Sequence, residues 1–375
     1  MKMHFSKSLG LAFLMATWVV DETFGAAASP DLLKAKQEAE AKGYTFITSH
    51  DEVVAKAKKE GKLRVTTTLE PTTVKELTKA FKAEYPFLDI NVEEITGPEA
   101  QQRFILEIKA GAGKQWDATV LHDDFYNEYL SLLKKIDTLG MATHGVLQIP
   151  TQVVESESRA VVSAGTSLQV IAYNEKLVAA DRVPNAWEDF LKPEFKGKKF
   201  LVDVRPQEIA ALVPAWGLEK TLDFARRIGA QQPVWIRGAT RMLTAMVAGE
   251  YGLFIGPNLH TVLEAIRKHP TGNLAYKFLE PIPTRSRENV GILNTAEHPY
   301  AALLWLEFES SPRGQKILDE FEPYGASVLI PGSKQEELAR GRKLSVVRGS
   351  DLHRMTDWVA KVVEAYGFPK AERTK

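Results

Sequence analysis

The spacing of apolar residues changes period repeatedly along this chain, and each change predicts an element. Glu52 to Lys59 reads as a helix, Gly61 breaks it, and Lys62 to Thr68 reads as a strand. Thr73 stands three residues before Glu76, a capping-box spacing, and Val74, Leu77 and Phe81 then recur at helical period. Pro86 closes that helix. Leu88 to Ile95 alternates as a second strand, and Gly97-Pro98 opens a helix carrying Phe104, Ile105 and Ile108. Trp116 to Leu121 is a third strand, ending at His122-Asp123-Asp124. Strands alternating with helices imply a largely parallel sheet in an α/β fold.

A second α/β unit begins at Lys199 with FLVDV. It continues through helices at Ile209 to Trp216 and Leu218 to Ile228 and returns through a strand at Leu253 to Ile255. Its last helix is expected beyond Gly256-Pro257, with Asn258 as cap and Leu259, Val262, Leu263 and Ile266 on its apolar face. Asn185 and Glu188 have the spacing of a second cap and its partner. Between the units, Ser167 to Asn174 is a strand, and the chain returns to the first unit near Ala275 to Ile282. A polar helical leader covers Pro30 to Lys42, and no internal repeat or low-complexity tract is present.

The first residues stand apart. Lys2, His4 and Lys7 precede an apolar run from Leu9 to Val20, and small residues follow at Gly25 to Ala28. This is the layout of a secretory signal peptide, with cleavage close to Ala28, and the run is shorter than the roughly 20 residues of a spanning helix. The remaining chain of roughly 345 residues exceeds what one hydrophobic core supports, so two lobes are expected. With 48 basic and 48 acidic residues the formal charge is zero, which argues against a general nucleic-acid binder. The chain has no cysteine, hence no disulfide, no thiolate metal site and no lipidation anchor.

Several longer stretches resemble a known family. These are the segment from Asp51 to Thr68, the aspartate before the third strand (Asp117), SLQVIAYN, VPNAWEDFLKPEFKGK and EHPYAALLWLEFESSPRGQKIL. They are similar to the extracellular solute-binding proteins of ABC importers, in the branch that includes ferric-iron, thiamine, polyamine and phosphonate receptors. The resemblance covers nearly the whole chain after the signal. It implies a two-lobed periplasmic-binding fold of type 2, with a ligand cleft between lobes that are mostly parallel sheets flanked by helices. The expected boundaries are signal peptide 1–28, first lobe 29–167, second lobe 168–277, and return to the first lobe with C-terminal helices over 278–375. Crossings near Leu168 to Ala172 and Ala275 to Leu279 would act as hinges.

In such a binder the ligand lies where loops leave strand ends and meet helix N-termini. On the first lobe the candidates are Thr67, Thr68 and Glu70, then Thr96 and Gly97, then His122 and Asp123. On the second they are Asp203 and Arg205, then Arg237, Gly238, Thr240 and Arg241 ahead of a helix at Met242, then Asn258 and His260. For each, a helix cap or solvated turn is the local alternative. Arg205, Arg237 and Arg241 fall at strand-to-helix junctions, where exposed N–H groups favour an anion, so an anionic solute is expected. Arg285 and Arg287 are further candidates on the loop after the return crossover.

The resemblance also bears on iron. Ferric-binding members present a tyrosine pair at the loop that here reads Gly256-Pro257-Asn258-Leu259-His260, without tyrosine. Hard ferric ion prefers phenolate oxygen, so no metal is expected, and Glu70, His122 and Asp123 match no compact ligand motif. No cofactor is expected either. A nucleophile elbow, a His-Glu-x-x-His motif and a dinucleotide fingerprint are all absent. Gly111-Ala112-Gly113-Lys114 lacks the first glycine and the hydroxyl residue of a phosphate-binding loop and reads as a helix C-terminal turn. The expectation is a monomeric, non-enzymatic periplasmic protein serving a membrane permease. A ligand sensor for a membrane kinase or chemoreceptor is the alternative.

Overall fold

The computed structural model describes residues 29–111, 115–122 and 125–368; the segment expected to be a signal peptide, Asp123 and the Ala112 to Lys114 segment lie outside them. Ser29 accepts from Leu32 N–H at the start of α1 (Pro30–Ala41). Helix α2 (His50–Glu60) ends at Gly61, whose φ of 67° is the left-handed turn that glycine takes without a Cβ clash, and β1 (Lys62–Thr67) follows at once. Next come α3 (Pro71–Glu84), β2 (Asp89–Glu94), α4 (Pro98–Lys109) and β3 (Ala118–Val120), with β1 parallel to both β2 and β3. Short helices α5 (Tyr126–Leu130) and α6 (Thr138–Thr143) lead into the long β4 (Val162–Asn174).

The second unit contains β5 (Leu201–Asp203), α7 (Gln207–Ala210), α8 (Val213–Trp216), α9 (Leu218–Ala230) and β6 (Val234–Ile236). It closes with α10 (Ala239–Val247), β7 (Leu253–Asn258), α11 (Leu259–Lys268) and β8 (Leu274–Lys277). The chain then runs through β9 (Ile282–Ile292), α12 (Pro299–Ser310), α13 (Pro312–Phe321), α14 (Lys334–Ala339), β10 (Leu344–Val347) and α15 (Gly349–Tyr366).

The strand order is β2-β1-β3-β9-β4-β7-β5-β6, with β10 beside β9 and β8 beside β4. Strand β4 joins the two halves. From Val162 to Leu168 it pairs antiparallel with β9, and from Gln169 onward it pairs with β7 and β8, with a register shift between Gln169 and Ile171. One core packs β1 and α3 against α12, where Phe81 meets Trp305 and Phe308 edge to face at 5.1 and 5.4 Å. Helix α12 is buried on every face from Ala301 to Ser310, a mostly apolar run that also takes Glu307 and Glu309 into the interior. A second core gathers Trp187, Phe200, Phe224 and Ile228 with Trp358 and Val362 of α15, which packs on α9 and α7. No described helix is long and apolar enough to cross a membrane.

Several local expectations change. Helix α3 begins at Pro71, so Thr73 lies inside it, and its hydroxyl donates to Glu322 at 3.0 Å instead of capping. At Trp187–Leu191, a 3₁₀ turn, the capping carboxylate is Asp189, which accepts from the N–H groups of Asn185 and Ala186 at 2.8 and 3.0 Å. The helix expected at Met242 starts at Ala239, which puts Thr240 and Arg241 within its first turn. Strand β7 runs through Gly256-Pro257 to Asn258, whose side chain makes no cap. Arg285 and Arg287 belong to strand β9, not to a loop.

Candidate functional site

Where β4 changes partners, two neighbouring cavities open between the halves of the sheet. The larger, 340 Å³, is walled by Thr68, His122 and Arg285 to Asn289 from one half and by Gln207, Asn258, His260 and Thr261 from the other, with Ser167 of β4 between them. The smaller, 160 Å³, reaches into the second half past Asp203, Arg205, Glu208, Ala239 and Gly256. His122, Gln207, Asn258 and Arg285 face both.

Strand geometry explains the cationic wall. Side chains two apart on a strand share a face, so Arg285 and Arg287 of β9 emerge together into the larger cavity. Arg285 Nη1 donates to Gln207 Oε1 at 2.8 Å, which ties β9 to α7 across the cleft. Arg287 Nη2 donates to Glu322, a fully buried carboxylate at the end of α13. Glu322 also accepts from Glu70 N–H and Thr73 Oγ1, both at 3.0 Å, and the His260 ring lies 3.9 Å away. Burial, then the Arg287 charge, holds the His260 imidazole below the ordinary histidine range. Between the arginines and Asn289, Glu288 adopts φ 51°, a left-handed backbone rare for a side-chain-bearing residue. Its carboxyl accepts from Thr67 Oγ1 at 2.8 Å and from Thr68 Oγ1, and burial raises it above the usual carboxylate range.

In the smaller cavity Asp203 Oδ1 accepts from Arg205 N–H at 2.9 Å and Oδ2 from Gly238 N–H at 3.2 Å. Asn258 Oδ1 accepts from Ser167 Oγ and Gln169 Nε2, each at 2.8 Å, so it braces β7 against β4. Burial pushes Glu208 well above the ordinary carboxylate value, and the Asp203 charge adds to that shift.

Of the residues singled out in the sequence, Thr68, His122, Asp203, Arg205, Asn258, His260, Arg285 and Arg287 line these cavities, and Thr67 reaches the site through Glu288. Glu70 reaches the site only through its backbone N–H on Glu322. Gly238 is a second-half backbone donor already taken by Asp203, and Thr96, Gly97, Arg237, Thr240 and Arg241 line neither cavity. Glu208, Glu288, Glu322 and Gln207 were missed. The alternation of Thr284, Ser286 and Glu288 with the two arginines is the signal that could have revealed β9, but a polar alternating run does not look like a buried strand.

A two-part α/β molecule with a polar cleft at the switch between its halves defines a class, the clefted solute binders. Residues 76–335 match the family of bacterial extracellular solute-binding proteins, and the chain belongs to that family. No curated protein matches it. Its fold is similar to that of the Trichodesmium protein IdiA (FutA) in complex with iron and citrate, with TM-score 0.65, 19% identity, and coverage of 82% of this chain and 100% of that one. It is also similar to the open ferric iron-binding protein A of Mannheimia haemolytica (TM-score 0.64, 20% identity, 82% and 99% covered). A third relative is the substrate-binding protein of an Agrobacterium tumefaciens ABC transporter (TM-score 0.59, 15% identity, 81% and 94% covered). At these identities the shared property is the fold, the type 2 periplasmic-binding architecture.

Proposed function

We propose that the protein is the periplasmic solute-capturing subunit of an ABC importer, which closes two lobes on a small anionic solute and presents it to the permease. The lobes on this reading are 29–167 with the return from 278, and 168–277, and residues 1–28 direct export. The protein acts by binding as a monomer, without a covalent step. The observation that carries the anion is the pair of guanidinium groups, Arg285 and Arg287, side by side on β9 in the larger cavity, with Arg205 on the smaller one. Burial keeps Glu288, which stands beside them, toward its neutral form, so it opposes them weakly. Charge-assisted hydrogen bonds from two guanidinium forks suit a carboxylate, phosphate or phosphonate.

The iron named in the descriptions of two of these structural relatives is a poor match to these walls. Among the described residues no tyrosine lines either cavity, and no cluster of three His, Asp or Glu is placed to hold a metal. The test is calorimetry of Arg285→Ala with the solute eluted from the parent protein. Loss of a charged partner to a buried anion should weaken binding by roughly 2–5 kcal/mol. Unchanged affinity, or a solute that proves to be a cation or a neutral sugar, would remove the anion from the account. Arg205→Ala and Arg241→Ala extend the comparison, with Arg241→Ala now expected to have no effect.

A further inference from the structure

One carboxyl group in the cleft has no part in holding an anion. Glu208 stands on the wall of the smaller cavity with its side chain more than nine-tenths buried, and its Oε1 has no hydrogen-bond partner. Buried polar atoms left this way are rare, and a ligand is one of the few things that satisfies them. The position is set by close packing. Gly256, at φ +79°, has its α-carbon against the Glu208 stem, and a Cβ there would stand 2.0 Å from Glu208 Cγ. The charged and titratable groups facing the carboxyl are Asp203, Arg205, Arg285 and, from α15, the buried phenol of Tyr366.

We propose that the solute is zwitterionic, its anionic group against Arg285 and Arg287 in the larger cavity and a protonated amine donating to Glu208 in the smaller one. This rests on the anion reading and deepens it. An ammonium supplies both a donor for Oε1 and a positive charge to offset an ionised carboxylate. An anionic oxygen there would be met by Glu208 only in its protonated form and would stand as like charge beside Asp203. Burial raises the carboxyl well above the ordinary carboxylate value, so whatever proton it holds before the solute binds goes to solvent as the ion pair forms, while the amine keeps its own. The cavity's 160 Å³ compares with about 30 Å³ for one water and leaves room for a short aminoalkyl group.

The test uses ω-amino carboxylates from glycine to 5-aminovalerate and ω-aminoalkyl phosphonates of matching length, each beside its des-amino counterpart, titrated calorimetrically into the purified protein. At least one amino compound should bind tenfold or more tightly than its counterpart. Paired buffers of different ionisation enthalpy should show proton release, and affinity should climb as pH rises toward Glu208 ionisation. Glu208→Gln should abolish both the preference and the release while the weaker des-amino binding persists. Proton release in the parent protein tests the idea even if that variant folds poorly. Des-amino anions that bind as tightly as their partners overturn the zwitterion and leave the anion reading standing. Amines that bind equally well without an anionic group, with Arg285→Ala inert, overturn both. Binding by no member of the series also overturns the proposal.

Discussion

Replacing Glu322 by alanine should unfasten the cleft wall. Its carboxylate is fully buried and accepts from the Glu70 N–H, the Thr73 hydroxyl and the Arg287 guanidinium, so it joins the end of α13 to the first turn of α3 and to β9. Removing it leaves Arg287, about one quarter exposed, without its anion, together with two orphaned donors. Breaking a buried pair from one side costs about 3–5 kcal/mol, and because all three bonds share one acceptor the losses do not add beyond that range. At about 2–4 °C per kcal/mol for a unit of this size, the melting temperature should fall by about 6–20 °C. Glu322→Gln keeps an acceptor oxygen and the shape, and should lose roughly 1.5–3 kcal/mol, the worth of one hydrogen bond to a charged group. Differential scanning calorimetry at neutral pH, on protein stripped of solute so that ligand binding does not mask the change, reads both variants. An alanine variant melting within about 2 °C of the parent would show that the hub contributes under 1 kcal/mol and refute this reasoning.

Further outcomes follow from the buried groups and the crossing strands. His260 has a folded-state pKa below its ordinary 6.5, so the unfolded chain takes up a proton first and stability is lost as pH falls below 6.5. His260→Phe should flatten that part of the stability curve, and an unchanged pH profile would contradict the assignment. Glu309 is fully buried with Oε2 unpartnered, and burial raises it well above 4.5, so its cost to stability grows as pH rises from 4.5. Glu309→Gln should therefore melt higher than the parent at pH 7–8 and equally at pH 4, since each tenfold weakening of the acid by burial costs about 1.4 kcal/mol once the group ionises; equal melting at both would count against it. Because β4 exchanges β9 for β7 at Leu168 to Gln169, rotation there should bring the halves together, and small-angle scattering should show a smaller radius of gyration with bound solute; an identical profile at saturation would exclude closure.

The elements whose signals are local were legible in the sequence. Gly61, Pro86 and Gly97-Pro98 punctuate the β1-α3-β2-α4 run, and each marks a boundary that the fold keeps. Signals that depend on a distant partner misled. Thr73-x-x-Glu76 has a cap's spacing, yet the hydroxyl's partner is 249 residues away at Glu322. Arg237 and Arg241 sit at a strand-to-helix junction as an anion site would require, but the neighbouring Gly238 N–H is already spent on Asp203. Asn258 looked like a helix cap and is a brace between strands. The inward arginines were placed on a loop because β9 alternates polar with charged residues, a pattern that gains a buried face only when β4 and β3 flank it.

Native mass spectrometry of the protein purified from the periplasm, followed by release and identification of what it carries, tests the central claim most directly. The account predicts one small organic solute per chain, bearing a carboxylate, phosphate or phosphonate, whose retention is lost in Arg285→Ala. A ferric ion held without such a solute, or a neutral sugar retained equally by the parent and by Arg285→Ala, would contradict it.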